Sequence, residues 1–330
     1  MIKTLSTKKD ASNASTFSIS TTAFGKFTAY TLHNDATGES AAIIPGCGAA
    51  LNSLVLRKEN LLFETIDGNA NEQYLLGEGA KDYNGKILFP YPNRTKGGLY
   101  IFEGKMYHFD INDGHDWQNS LHGLCAEANF EVVNQDIKKT KASLQIKYKL
   151  DGKHHAYPFE ILLTVVYELS KKGLAVWTEV HNLGSKTAPF GLGWHPYFKT
   201  GSKVDDLEMW LPQHYELQVD EQLIPTSKIS EGYSFTSYES ISSITLDNGY
   251  MINPDLIQAS VKINDPIQGF YIELACLKGY DYLQVYTPNH RNSIAIEPQT
   301  CAADAFNNKM GLVELMPNEK RNFAFSIGIG

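Results

Sequence analysis

Basic runs, apolar spans and paired cysteine motifs are what this 330-residue chain lacks. Lysine and arginine number 29 against 37 aspartates and glutamates, a net charge of −8. With no stretch that gathers the basic residues, that balance argues against nucleic acid and anionic membranes as partners. Cys47, Cys125, Cys276 and Cys301 stand far apart, with no CxxC spacing. Neither a structural zinc site nor a disulfide framework is therefore expected. No apolar run is long enough to cross a bilayer, and residues 1–22 are rich in Ser, Thr and Lys without an apolar core. The expected setting is the cytoplasm, with reduced thiols. Helical periodicity is scarce as well: only residues 304–308 and 254–260 read as short helices.

What is present is β-pattern. Residues 1–15, dominated by Lys, Ser and Asn, read as a frayed segment ahead of one domain spanning 16–330. Residues 26–32, 41–44, 49–56 and 60–63 read as strands separated by Gly, Pro and Asp turns. Residues 71–85 show no period and read as a long surface loop. In 143–150, Leu144, Ile146, Tyr148 and Leu150 share one face and polar residues the other, as in a sheet with one wet side. The apolar run 159–169, a turn at Lys171-Lys172-Gly173 and the run 174–180 then form a hairpin. Further short strands follow to the C-terminus, so the expected fold is all-β, a large antiparallel sandwich with few short helices.

Four stretches carry candidate chemistry. In Gly191-Leu192-Gly193-Trp194-His195-Pro196-Tyr197-Phe198, Pro196 biases His195 toward an extended backbone, with aromatic rings on either side. Tyr91-Pro92-Asn93-Arg94, followed by Gly97-Gly98, holds a planar fork of donors at Arg94 suited to hydroxyls or a carboxylate. Leu121-His122-Gly123 puts an imidazole at a sharp bend. Ile294-Ala295-Ile296-Glu297-Pro298 ends an apolar run on a carboxylate, where burial is costly without partners. Each also admits a plain structural reading: a core histidine, a turn arginine, a strand-end ion pair.

Taken together and in this order, the four stretches resemble the aldose 1-epimerase (galactose mutarotase) family, over most of the chain from about Phe24. The resemblance implies a galactose mutarotase-like supersandwich with an open carbohydrate cleft and no cofactor or metal. It implies His195 as general acid and Glu297 as general base, with Asn93, Arg94, His122 and Gln284 binding the sugar. It also implies a substrate-binding aspartate, best matched by Asp247. On the residues alone Asp247 equally fits a turn ahead of Asn248-Gly249. The implied reaction interconverts the α and β anomers of a free aldose, with the protein a monomer or homodimer.

Other readings remain open at this point. A hexose-6-phosphate 1-epimerase would need a basic cluster, and Lys81, Lys86 and Lys96 flank the Asn93-Arg94 stretch. A carbohydrate-binding module without catalysis would keep Arg94 and the aromatics. His108 and Asp110, on one face of an expected strand, could join His195 in a two-histidine, one-carboxylate iron site.

Overall fold

Alternation along its outer strands builds the first of two large sheets. In the computed structural model, which describes residues 16–113 and 118–330, the expected frayed segment lies outside the described residues. Strand Lys141–Asp151 buries Ala142, Leu144, Ile146 and Leu150, while the intervening residues stay at least partly exposed. Its neighbour Glu160–Ser170 buries Ile161, Leu163, Val165, Tyr167 and Leu169. The chain then returns as Gly173–Asn182, the expected hairpin.

These strands belong to a nine-stranded sheet that continues through Lys320–Ile329, Phe270–Lys278 and Ala259–Asp265. A second large sheet runs from Pro225–Glu231 through His214–Val219, Asp247–Ile252, Tyr282–Tyr286 and Ile294–Gln299 to the short strands Gly193–Trp194 and Ile87–Leu88. Its ladders, like those of the first, are antiparallel. Apolar side chains from the two sheets meet in the core: Trp194 stacks on Phe325 at 4.9 Å between ring centroids. A five-stranded N-terminal sheet from Phe17–Phe24 to Leu61–Glu64 adds to this sandwich. All four cysteines are buried and unpaired.

Two local expectations change. Residues 71–85 are not a bare loop but carry the short helices Glu72–Leu76 and Glu78–Lys81. The Asn71 side chain accepts from the Tyr74 backbone N–H and caps the first helix. Residues 254–260 form turns leading into the strand Ala259–Asp265 rather than a helix. Leu256 and Ile257, the apolar residues there, are exposed, so no buried face holds a helix down.

Candidate active site

The site is a row of side chains across one face of the second sheet. Gly193 pairs with Gln299, and Tyr197 pairs with Ala295 in the same register. That register sets His195 opposite Glu297. Pro196 has no N–H to donate, so pairing lapses between the two short strands and His195 is released toward the cleft. On the other side of Glu297, Gln284 is its direct partner, and Gly249 faces Gln284 in turn. Gly249 has no side chain to fill that place, and Asp247, two residues away on the same face, accepts a hydrogen bond from Gln284 Nε2 at 2.5 Å. Asp247 is therefore a strand residue, the first of Asp247–Ile252, and not a turn residue.

At the centre, His195 Nε2 lies 3.3 Å from Glu297 Oε1. His195 is 6% exposed and Glu297 2%. The other carboxylate oxygen, Oε2, accepts from Gln299 Nε2 at 3.0 Å. Burial pushes the Glu297 carboxyl well above its ordinary range, Asp247 adds to that, and Gln299 and Arg94 oppose it. Burial likewise pushes the His195 imidazolium down to about 3. The ring's contact with its own backbone opposes that fall without cancelling it. Low-dielectric surroundings thus favour the uncharged form of both groups.

The aromatic residues around His195 divide differently from the expectation. Tyr197 stacks on the imidazole at 5.0 Å. Trp194 points the opposite way into the core, where its Nε1 donates to the Gly85 carbonyl, and Phe198 is buried there too. Successive residues of an extended chain face opposite sides, so Trp194 and His195 cannot both line the cleft.

A second wall comes from two loops tied by the short strands Arg94–Thr95 and Ser120–Leu121. Asn93 and His122 both adopt left-handed backbone conformations, at φ 58° and 60°. They face each other through a reciprocal pair: the His122 N–H donates to the Asn93 carbonyl, and the Asn93 N–H donates to His122 Nδ1 at 3.0 Å. With Nδ1 accepting, neutral His122 must carry its proton on Nε2. Burial, helped by His195 and Arg94, holds its imidazolium well below the usual value. Gly123, at φ 70°, follows because a Cβ there would run into the Phe89 carbonyl. Arg94 is held by Asp113, whose Oδ2 accepts from Nε at 2.9 Å, and by the Asn93 side chain.

The walls enclose an open cleft of about 620 Å³, within the range of small-molecule sites. All seven residues singled out in the sequence line it: Asn93, Arg94, His122, His195, Asp247, Gln284 and Glu297. Sequence reasoning missed Tyr83, whose ring packs 4.4 Å from His122 and which sits in the aperiodic segment where no motif pointed to it. It also missed Gln299, although strand alternation two residues past Glu297 was a usable signal. The iron-site reading fails: His108 is exposed at the end of its strand, Asp110 is exposed beyond it, and His195 is buried. Among the described residues no three His, Cys, Asp or Glu side chains gather to hold a metal.

The model of the family described as aldose 1-epimerase matches residues 28–328. An uncharacterized Escherichia coli protein, YihR, is 30% identical over 250 residues, 74% of this chain and 78% of its own length. Bovine galactose mutarotase is 29% identical over 172 residues, 51% of this chain and 46% of that enzyme. Among solved structures, a galactose mutarotase-like protein from Clostridium acetobutylicum superposes with a TM-score of 0.84 at 21% identity. That match covers 95% of this chain and 98% of the other. A galactose 1-epimerase from Lactobacillus acidophilus gives 0.78 at 17% identity, covering 96% and 99%.

Proposed function

This chain belongs to the aldose 1-epimerase family, and we propose that its cleft interconverts the α and β anomers of a free, uncharged aldose by general acid–base ring opening. The observation that carries this reading is the buried contact between His195 and Glu297. In a cyclic aldose the anomeric hydroxyl and the ring oxygen hang from one carbon. An acid and a base that serve them together must therefore be neighbours, as these two groups are. Glu297 takes the proton of the anomeric hydroxyl, His195 protonates the ring oxygen, and the bond from that oxygen to the anomeric carbon breaks. The aldehyde turns about its C1–C2 bond, and reclosure on the other face runs both transfers backward. Neutral His122, donating from Nε2, and the Arg94 guanidinium hold hydroxyls, while Tyr83 and Tyr197 offer flat surfaces to the C–H faces of the ring.

The pair works with one shared proton. The resting pair is carboxylic acid–imidazole; its proton crosses the 3.3 Å contact to give carboxylate–imidazolium, from which opening returns it to carboxylic acid–imidazole, and reclosure reverses that. The rate falls in acid where the pair takes a second proton, and in alkali where it gives up its only one. The depressed imidazolium sets the acid limb well below the ordinary imidazole range, and the raised carboxyl sets the alkaline limb above the ordinary carboxylate range.

The sugar-phosphate alternative has less support. Lys81 pairs with Glu78, Lys96 pairs with Asp220, and Lys86 is wholly buried. Beside the neutral His195–Glu297 pair, the described lining sets Asp82, Asp113, Glu127 and Asp247 against Lys81 and Arg94. A dianion entering this cleft meets like charge.

Polarimetry or exchange NMR on freshly dissolved aldose anomers tests the reading. Glu297→Gln and His195→Asn should stay folded and bind sugar, yet lose at least about 10²-fold in kcat. Near wild-type rates in either variant on every aldose would overturn the mechanism. Tight sugar binding by an inactive wild type would instead support a carbohydrate-binding module.

A further inference from the structure

We infer that Gln299 is the positioning residue for Glu297, holding one carboxylate oxygen so that the other is aimed at the anomeric hydroxyl. The inference rests on the acid–base reading of this cleft. Gln299 follows Glu297 by two residues on Ile294–Gln299, so both side chains leave the same face of the strand. It is only 2% exposed, and its backbone is paired on both sides, with Gly193 and with Tyr282. Its Nε2 donates to Glu297 Oε2 at 3.0 Å, while Oε1 is left facing His195 Nε2 at 3.3 Å. The two oxygens are thereby assigned different partners.

The neighbouring glycine is required by Pro92 rather than by Gln299. A Cβ at Gly193, its cross-strand neighbour, would sit 2.7 Å from Pro92 Cβ and 3.4 Å from Gln299 Cγ. A carboxamide suits the post because it does not titrate and its N–H favours the ionised carboxylate. The other charged or titratable groups that act on Glu297 are His195, Asp247, Arg94 and Tyr197, each from a different strand or loop. Asp247 works against ionisation and Arg94 for it. Gln299 is the neutral donor in that set, and it holds the carboxylate without competing for the substrate's proton.

Gln299→Leu keeps the bulk and removes the donor. It should lower kcat by about 10- to 100-fold, the worth of one hydrogen bond to a charged group, and change KM little. Its alkaline limb should move to higher pH, because the carboxylate left when the pair gives up its proton has lost a donor. Gln299→Glu can donate only while protonated. It should retain activity on the acid side and lose it as pH rises, since two carboxylates in contact then share one proton. Circular dichroism and melting temperature establish that each variant is folded, and Gln299→Glu carries the test if Gln299→Leu does not fold. A wild-type kcat and pH profile in whichever variants fold would overturn the inference. An inactive wild type, or Glu297→Gln at full rate, would instead bring down the parent reading.

Discussion

His122 shows how one backbone hydrogen bond decides the chemistry of a side chain. Because Nδ1 accepts from the Asn93 N–H, protonating the ring would break that bond and bury a charge. The depressed folded-state value means that the unfolded chain binds the extra proton first as pH falls below 6.5. Stability is therefore lost as pH drops through that value. Melting curves should show His122→Gln losing less stability than wild type between neutral pH and about pH 5, near the lower edge of the ordinary imidazole range. An unchanged acid dependence would mean that the buried imidazole does not contribute to it. Arg94 carries a comparable lesson. Its buried partner Asp113 makes Arg94→Ala a change in stability as well as in the proposed sugar contacts, because one charge is left behind.

At the scale of the strand, the His195–Glu297 contact depends on how closely Gly193–Trp194 lies against Ile294–Gln299. Gly193→Ala pushes a methyl into Pro92, and the strand that leads into His195 must shift to admit it. Overpacking of this kind costs about 1–3 kcal/mol. Calorimetry should find the variant folded with a lowered melting temperature. Its kcat should fall even at temperatures where it is fully native, because His195 and Glu297, the proposed acid and base, have moved apart. Loss of stability with native kcat would show that the register tolerates the shift.

Over the whole molecule, the net charge of −8 is also present locally, in the carboxylates that line the cleft. A free hexose should therefore be turned over far better than its 6-phosphate, and the difference should shrink as salt screens the repulsion. Competition kinetics with paired sugars and sugar phosphates at low and high ionic strength measures this. Preference for the phosphate at low salt would reverse the substrate assignment.

The strand pattern, the scarcity of helix and the motif residues were all readable along the chain, because alternation and turn chemistry are local properties. Asn93, Arg94, His122, His195 and Glu297 could be picked out because proline, glycine and an isolated buried charge mark them within a few residues. Three things were not local. Alternation parts Trp194 from His195, but which of the two faces the cleft depends on the core, where the indole stacks on Phe325. Tyr83 joined the site from a segment with no periodic signal, brought in by its packing on His122. Asp247 became a strand residue opposite Tyr286 only because a neighbouring strand was there to pair with it. Sequence determined which faces were apolar and which residues were chemically unusual. The register between strands distant in the chain decided which of them met, since cross-strand pairing is a relation that no single stretch contains.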